Sequence, residues 1–130
     1  MKLTNENYVD EAEKVIVELC KKTDKYGNPD LVSTSKIRKI LSMVTGIYND
    51  ARHMIGDSLD SDMRGRLQYL KMHIVYEAGR DNKEGPVRRF IDKAELVSLI
   101  DSVSNKKDLI IFCHYMEALV AYQRYHGGKN

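Results

Sequence analysis

TSKIRKILSMVTGIYNDARHMI, residues Thr34 to Ile55, decides the fold. Ile37, Ile40, Leu41, Val44, Ile47, Tyr48, Ala51 and Ile55 recur at three- and four-residue steps, the spacing of one face of an α-helix. Thr34 or Ser35 is placed to cap its start by accepting from the free backbone amides of the first turn. Arg38, Ser42, Thr45, Asn49 and Arg52 fall on a different face, with Lys39 and His53 beside them. That stripe holds cations and short hydrogen-bonding groups but no carboxylate, in a chain with 21 Lys and Arg against 19 Asp and Glu. A helix that only had to stay soluble would mix signs there. The pattern predicts an anionic partner, and a phosphate backbone is the obvious one.

Working outward, the same periodicity continues and no alternating strand pattern exceeds a few residues. Val9, Ala12, Val15, Ile16 and Leu19 predict a first helix from about Tyr8 to Lys22, stopped by the turn residues of DKYGNPD. Met63, Leu67, Leu70, Ile74 and Ala78 predict another from Ser61 to Gly79. Pro86 suits the first turn of the next, where its missing donor is no loss. The apolar phase of that helix shifts after Ala94, which predicts a kink or split near Lys93. The last, Lys107 to His126, is apolar on two faces, one through Leu109, Phe112, Met116 and Leu119, the other through Ile111, Tyr115, Ala118, Tyr122 and Tyr125. A helix apolar over most of its circumference is surrounded by others, and Gly127-Gly128 can end it in left-handed geometry. The expectation is an all-α, single compact bundle of five or six helices spanning 1–130, with a largely buried C-terminal helix.

At 130 residues the chain can build one core but not two. Its 42% apolar and 31% charged residues exclude wholesale disorder. No apolar run approaches the twenty residues a membrane span needs, and MKLTNENYVDEAEK lacks the apolar centre of a signal peptide, so a cytoplasmic location is expected. A net charge of +2 argues against a free-standing, tight nucleic-acid binder and suits a few phosphate contacts inside a larger assembly. Cys20 and Cys113, without a CxxC or a Cys/His cluster, are expected to be reduced packing residues.

Arg66, Tyr69, His73, Tyr76 and Arg80 follow one another at helical steps and offer a second candidate surface. Its arginines suit phosphate oxygens, and its tyrosines either stack on a base or form the shoulder of a packed interface. Arg80, at the end of its helix, also satisfies the helix dipole without any ligand. Arg88 and Arg89, just past Pro86, either grip a phosphate at a helix N-terminus or pair with Asp92 or Glu95. Glu117 and Arg124 can form an ion pair on the last helix. No catalytic residue, metal site or cofactor is expected. The four histidines lie on separate predicted helices, and His114 with Glu117 reads HxxE, the reverse of the ExxH of di-iron bundles. From residues alone, the chain is a bundle with one or two basic faces and no catalytic apparatus.

TSKIRKILSMV, VYEAGR (Val75 to Arg80) and YMEALVAYQRYHGG (Tyr115 to Gly128) stand in order along the chain. Together they resemble the small subunit of the type III-A CRISPR effector, the Csm complex, over nearly the whole length. The resemblance implies a non-catalytic helical bundle present in several copies. These copies form the minor filament beside the backbone subunit, the large subunit and the paired guide RNA and target RNA, in antiviral defence. It implies contact with the RNA backbone, base pairing supplying the specificity. Arg38, within TSKIR, and Arg80, within YEAGR, rank first as RNA-binding residues, joined by Lys39, Arg52 and Arg66. The alternative is a protein-only scaffold without nucleic-acid contact.

Overall fold

Ser33, rather than Thr34 or Ser35, caps the helix that the opening stretch predicts. Its hydroxyl accepts from the Lys36 amide at 3.3 Å, while Thr34 turns inward and is buried. The helix then runs Thr34–Ala51 and stops four residues earlier than its apolar pattern suggests. Ile55, read as part of its inner face, lies beyond the end of the helix and is fully exposed. Gly56, at φ +78, completes the reversal.

The computed structural model describes residues 1–127, which form six helices. They are α1 (Tyr8–Leu19), α2 (Thr34–Ala51), α3 (Ser61–Gly79), α4 (Pro86–Lys93), α5 (Leu96–Ser102) and α6 (Lys106–Tyr125). Gly128, half of the expected terminal glycine pair, lies outside the described residues, while Gly127 takes φ +92. No helix among the described residues is long and apolar enough to cross a membrane.

The expected break after α4 falls at Glu95, which takes the left-handed conformation at φ 56, ψ 38. A side chain there is strained, yet the turn lets Phe90, Ile91 and Leu96 all reach the core from two short helices. Lys2 pairs with the Glu95 carboxylate across this corner.

α6 is the centre of the bundle, packed between α1 and α2 and touching α5. Leu109, Phe112, Met116 and Leu119 are completely buried, and Tyr115, from its second apolar face, is buried with its hydroxyl donating to the Ala94 carbonyl at 3.0 Å. Tyr125, placed on that face by spacing, is exposed. Gln123 is fully buried as well, its amide donating to the Val32 carbonyl. That bond ties α6 to the segment before α2, whose Leu31 and Val32 enter the core. α3 lies at the periphery, with its inner face against α2, α4 and α5. Met63, Leu67, Leu70, Ile74 and Ala78 fill that face as their spacing predicts.

Candidate nucleic-acid interface

α2 presents its polar stripe outward. Arg38, Ser42, Thr45, Asn49 and Arg52 are all exposed. Fourteen residues separate the two arginines, about 21 Å along a helix of 1.5 Å rise. Neither arginine has an ion-pair partner among the described residues, and nor does Lys39. Asp50, the acid nearest the stripe in sequence, sits on the opposite flank of α2. There it binds Arg66 of α3 and so closes the α2–α3 seam. Arg66 is therefore a half-neutralised clamp between two helices, while Arg38 and Arg52 are exposed cations without an ion pair among the described residues.

A second basic feature lies where α2, the end of α3 and the start of α4 converge. Lys36, Lys39, Arg80, Glu77, Asp81 and Val87 line an open cleft of about 380 Å³. Three cations against two carboxylates leave it at +1. Arg80 lies over the Tyr76 ring, 5.6 Å from its centroid, and pairs with Glu77 at 3.4 Å. Lys39 thus belongs more to this cleft than to the Arg38–Arg52 stripe, because a step of one residue turns a helix by about 100°.

Asp81 decides what the start of α4 can hold. Its Oδ2 accepts from the amides of Val87 at 2.9 Å and Arg88 at 3.2 Å, and its Oδ1 from Asn82 at 2.9 Å. Burial pushes its carboxyl up, but these three amides and the Lys36 charge outweigh that and hold it below the usual carboxylate range. Gly85 makes the approach possible, because a Cβ there would sit 2.2 Å from the carboxylate. The anion site of α4 is thus filled from within, which overturns its reading as a phosphate grip. Arg88 instead pairs with Asp92 at 3.0 Å, and Arg89 reaches Asp30 at 2.8 Å and the Glu84 carbonyl at 2.9 Å. Sequence spacing offered Asp92 but not Asp30, which lies 59 residues away.

The proposed face Arg66–Tyr69–His73–Tyr76–Arg80 does not hold together. Tyr69 and Tyr76 are each 60% exposed, whereas His73 is buried, 4.0 Å from Glu77. Periodicity placed these five together, but one edge of the row turns under toward α2. His114 is half-buried between the rings of Tyr8 and Tyr48, at 5.7 and 5.2 Å. Among the described residues no three His, Cys, Asp or Glu gather as a metal site. The Cys113 thiol is pushed up to about 12, first by burial and then by Glu117, so it stays protonated.

The model of the Csm2 type III-A family matches residues 10–129. The chain belongs to that family. It is 41% identical over 128 residues to the CRISPR system Cms protein Csm2 of Streptococcus thermophilus, covering 98% of each chain. The protein of the same name from Enterococcus italicus is 35% identical over 88% of this chain and 86% of its own. That of Mycobacterium tuberculosis is 32% identical over 100% and 99%. The membership makes this chain a type III-A CRISPR small subunit, part of a Csm complex. All five residues singled out for RNA lie inside the span that the Csm2 model matches.

Proposed function

We propose that this small subunit acts without catalysis, in the cytoplasm, as an RNA-contacting member of the type III-A effector in antiviral defence. Copies stack into the minor filament beside the backbone and large subunits, and each lends cations to the phosphates of the target RNA and its guide duplex. The observation that carries this reading is the α2 stripe, whose Arg38 and Arg52 are exposed, without an ion pair among the described residues, and about 21 Å apart along the helix. Lys39 and Arg80 extend the positive surface around the end of α3. Arg66, already held by Asp50, contributes least. Nothing in such contacts reads a base, which suits an assembly in which pairing to the guide supplies sequence.

A net charge of +2 fits this role because stacked copies multiply weak contacts. The test is RNA binding by the purified protein over a salt series, beside Arg38→Glu combined with Arg52→Glu. Affinity should fall with salt at a slope of about 0.7 per phosphate contact on single strands, and the double variant should flatten that slope by about two contacts. A folded double variant that binds RNA as wild type does, in isolation and in the assembled complex, sinks the assignment of this stripe. Absence of RNA contact in both settings leaves a protein-only scaffold.

A further inference from the structure

A cleft of about 620 Å³ opens between the end of α1, the loop after α3 and the outer side of α4. None of its lining residues lies on α2, so it is separate from the basic stripe. Five cations, Lys21, Lys22, Lys83, Arg89 and Lys93, line it against three carboxylates, a local +2 that equals the charge of the whole chain. Two of those carboxylates are already engaged, Glu18 by Lys21 at 2.8 Å and Asp92 by Arg88 at 3.0 Å. Lys22, Lys83 and Lys93 have no ion pair among the described residues, and Glu84 alone opposes them. The C-terminus of α1 favours Lys21 and Lys22 without any ligand, as a helix end favours cations. It does not account for Lys83, or for the way Arg89 is held.

Arg89 is fixed by the fold around it. The Asp30 amide donates to the Lys22 carbonyl at 2.9 Å, which closes the loop after α1 and brings Asp30 to α4. Arg89 then donates through Nη2 to the Asp30 carbonyl and carboxylate, both at 2.8 Å, and through Nε to the Glu84 carbonyl at 2.9 Å. Its side chain is only 14% exposed. Lys22 donates to that same Glu84 carbonyl at 3.1 Å, so one oxygen holds two cations side by side. Such a pair repels itself unless an anion lies against it. Nη1 has no partner among the described residues, and it is not sealed in the interior. A guanidinium already held rigid, with its last two N–H groups open, loses little freedom on meeting an oxyanion.

We propose that this cleft binds a phosphate chain, meaning consecutive phosphates of a nucleic-acid strand or of a free polyphosphate. Arg89 Nη1 and Lys22 take oxygens of one phosphate, and Lys83 and Lys93 those of the next. A phosphate chain offers oxygens in several directions, matching cations that come from three segments, whereas a planar carboxylate satisfies the Arg89 edge alone. The volume exceeds that of a single phosphate and lies in the range of small-molecule sites. No aromatic residue is among those lining the cleft, so no base stacks there and recognition is of phosphate alone. The amides of α4 play no part, because Asp81 holds them. The site stands independently of the α2 stripe and gives each copy a second place to hold phosphate.

Heteronuclear NMR of the full chain, titrated with tripolyphosphate at constant ionic strength, tests this. The Arg89 Nε–H and the amides of Lys83 and Glu84 should shift saturably, and Lys22→Gln with Lys83→Gln should weaken binding about tenfold or more. That variant should melt as wild type does, because the only bond it removes is the exposed one from Lys22. Arg38→Glu with Arg52→Glu should leave the shifts unchanged, so failure here and failure of the α2 assignment are told apart. In that second background, a single-stranded RNA oligonucleotide that displaces tripolyphosphate from the same resonances assigns the cleft to a strand. One that does not displace it assigns the cleft to a free polyphosphate. Absence of a saturable shift up to about 10 mM overturns the proposal. So does a shift that sodium chloride of equal ionic strength reproduces, or one that the lysine variant leaves intact.

Discussion

Asp81 shows how one side chain can close one function and enable another. It caps α4 in place of Gly85, which has no side chain to do so, and removes that helix start from the anion-binding surface. Asp81→Ala should cost about 1 kcal/mol, the usual value of a lost cap. Gly85→Ala should cost a similar amount by displacing the same carboxylate, and the two together less than their sum. Chemical denaturation of the four proteins of that cycle measures this. The sign with pH follows from the depressed carboxyl. Its contribution is complete above the unfolded value of about 4 and fades as pH falls through the lower folded one. Asp81→Asn should therefore flatten the acid limb of stability, read as melting temperature against pH. The thiols divide in the same local way. Cys20 is half-buried and Cys113 fully so, with a thiol pushed up to about 12. An aromatic disulfide reagent at neutral pH should label Cys20 in the folded protein and Cys113 only on unfolding.

At the scale of the element, the break between α4 and α5 is set by one residue in left-handed geometry, and that residue is not a glycine. Glu95→Val should destabilise by about 1–2 kcal/mol more than Glu95→Gly, because a β-branched residue tolerates that conformation worst. Denaturant midpoints of the two variants give the difference. The phase shift in the apolar pattern exposed this break in the sequence, to within two residues. The end of α2 was less legible, because Ile55 keeps the helical spacing by coincidence and only Gly56 signalled a reversal. Partners of charged residues were legible where they lie one turn apart, as for Arg88 and Asp92. They were hidden where the fold joins distant segments, as for Arg89 with Asp30, Arg66 with Asp50, and Asp81 with the α4 amides. Helical spacing predicts a face but says nothing of which neighbour lies over it, and His73 was misplaced for that reason.

For the whole molecule, the buried Gln123 makes the longest-range of the buried side-chain hydrogen bonds among the described residues, from α6 to the backbone of Val32. It holds the segment that carries Leu31 and Val32 beneath the start of α2. Gln123→Ala should cost about 2–4 kcal/mol, combining an orphaned carbonyl with a cavity in a packed site. Thermal unfolding followed by circular dichroism measures it. The same variant should weaken RNA association only in proportion to the unfolded fraction, because Gln123 touches no surface. Charge is divided in a way the composition conceals. Acids pair with most cations around α1, α4 and α5, while the outer stripe of α2 has none, so near-neutrality overall coexists with a positive face.

The position of α6 bears on how the chain is made. The last of the six helices to leave the ribosome is the one that α1 and α2 close upon. At about 5–20 residues per second, the apolar faces of the earlier helices stay without their common partner for several seconds of every synthesis. Chaperones that shield nascent chains have that interval in which to act, and a stalled or prematurely terminated message yields a product that no later event can complete.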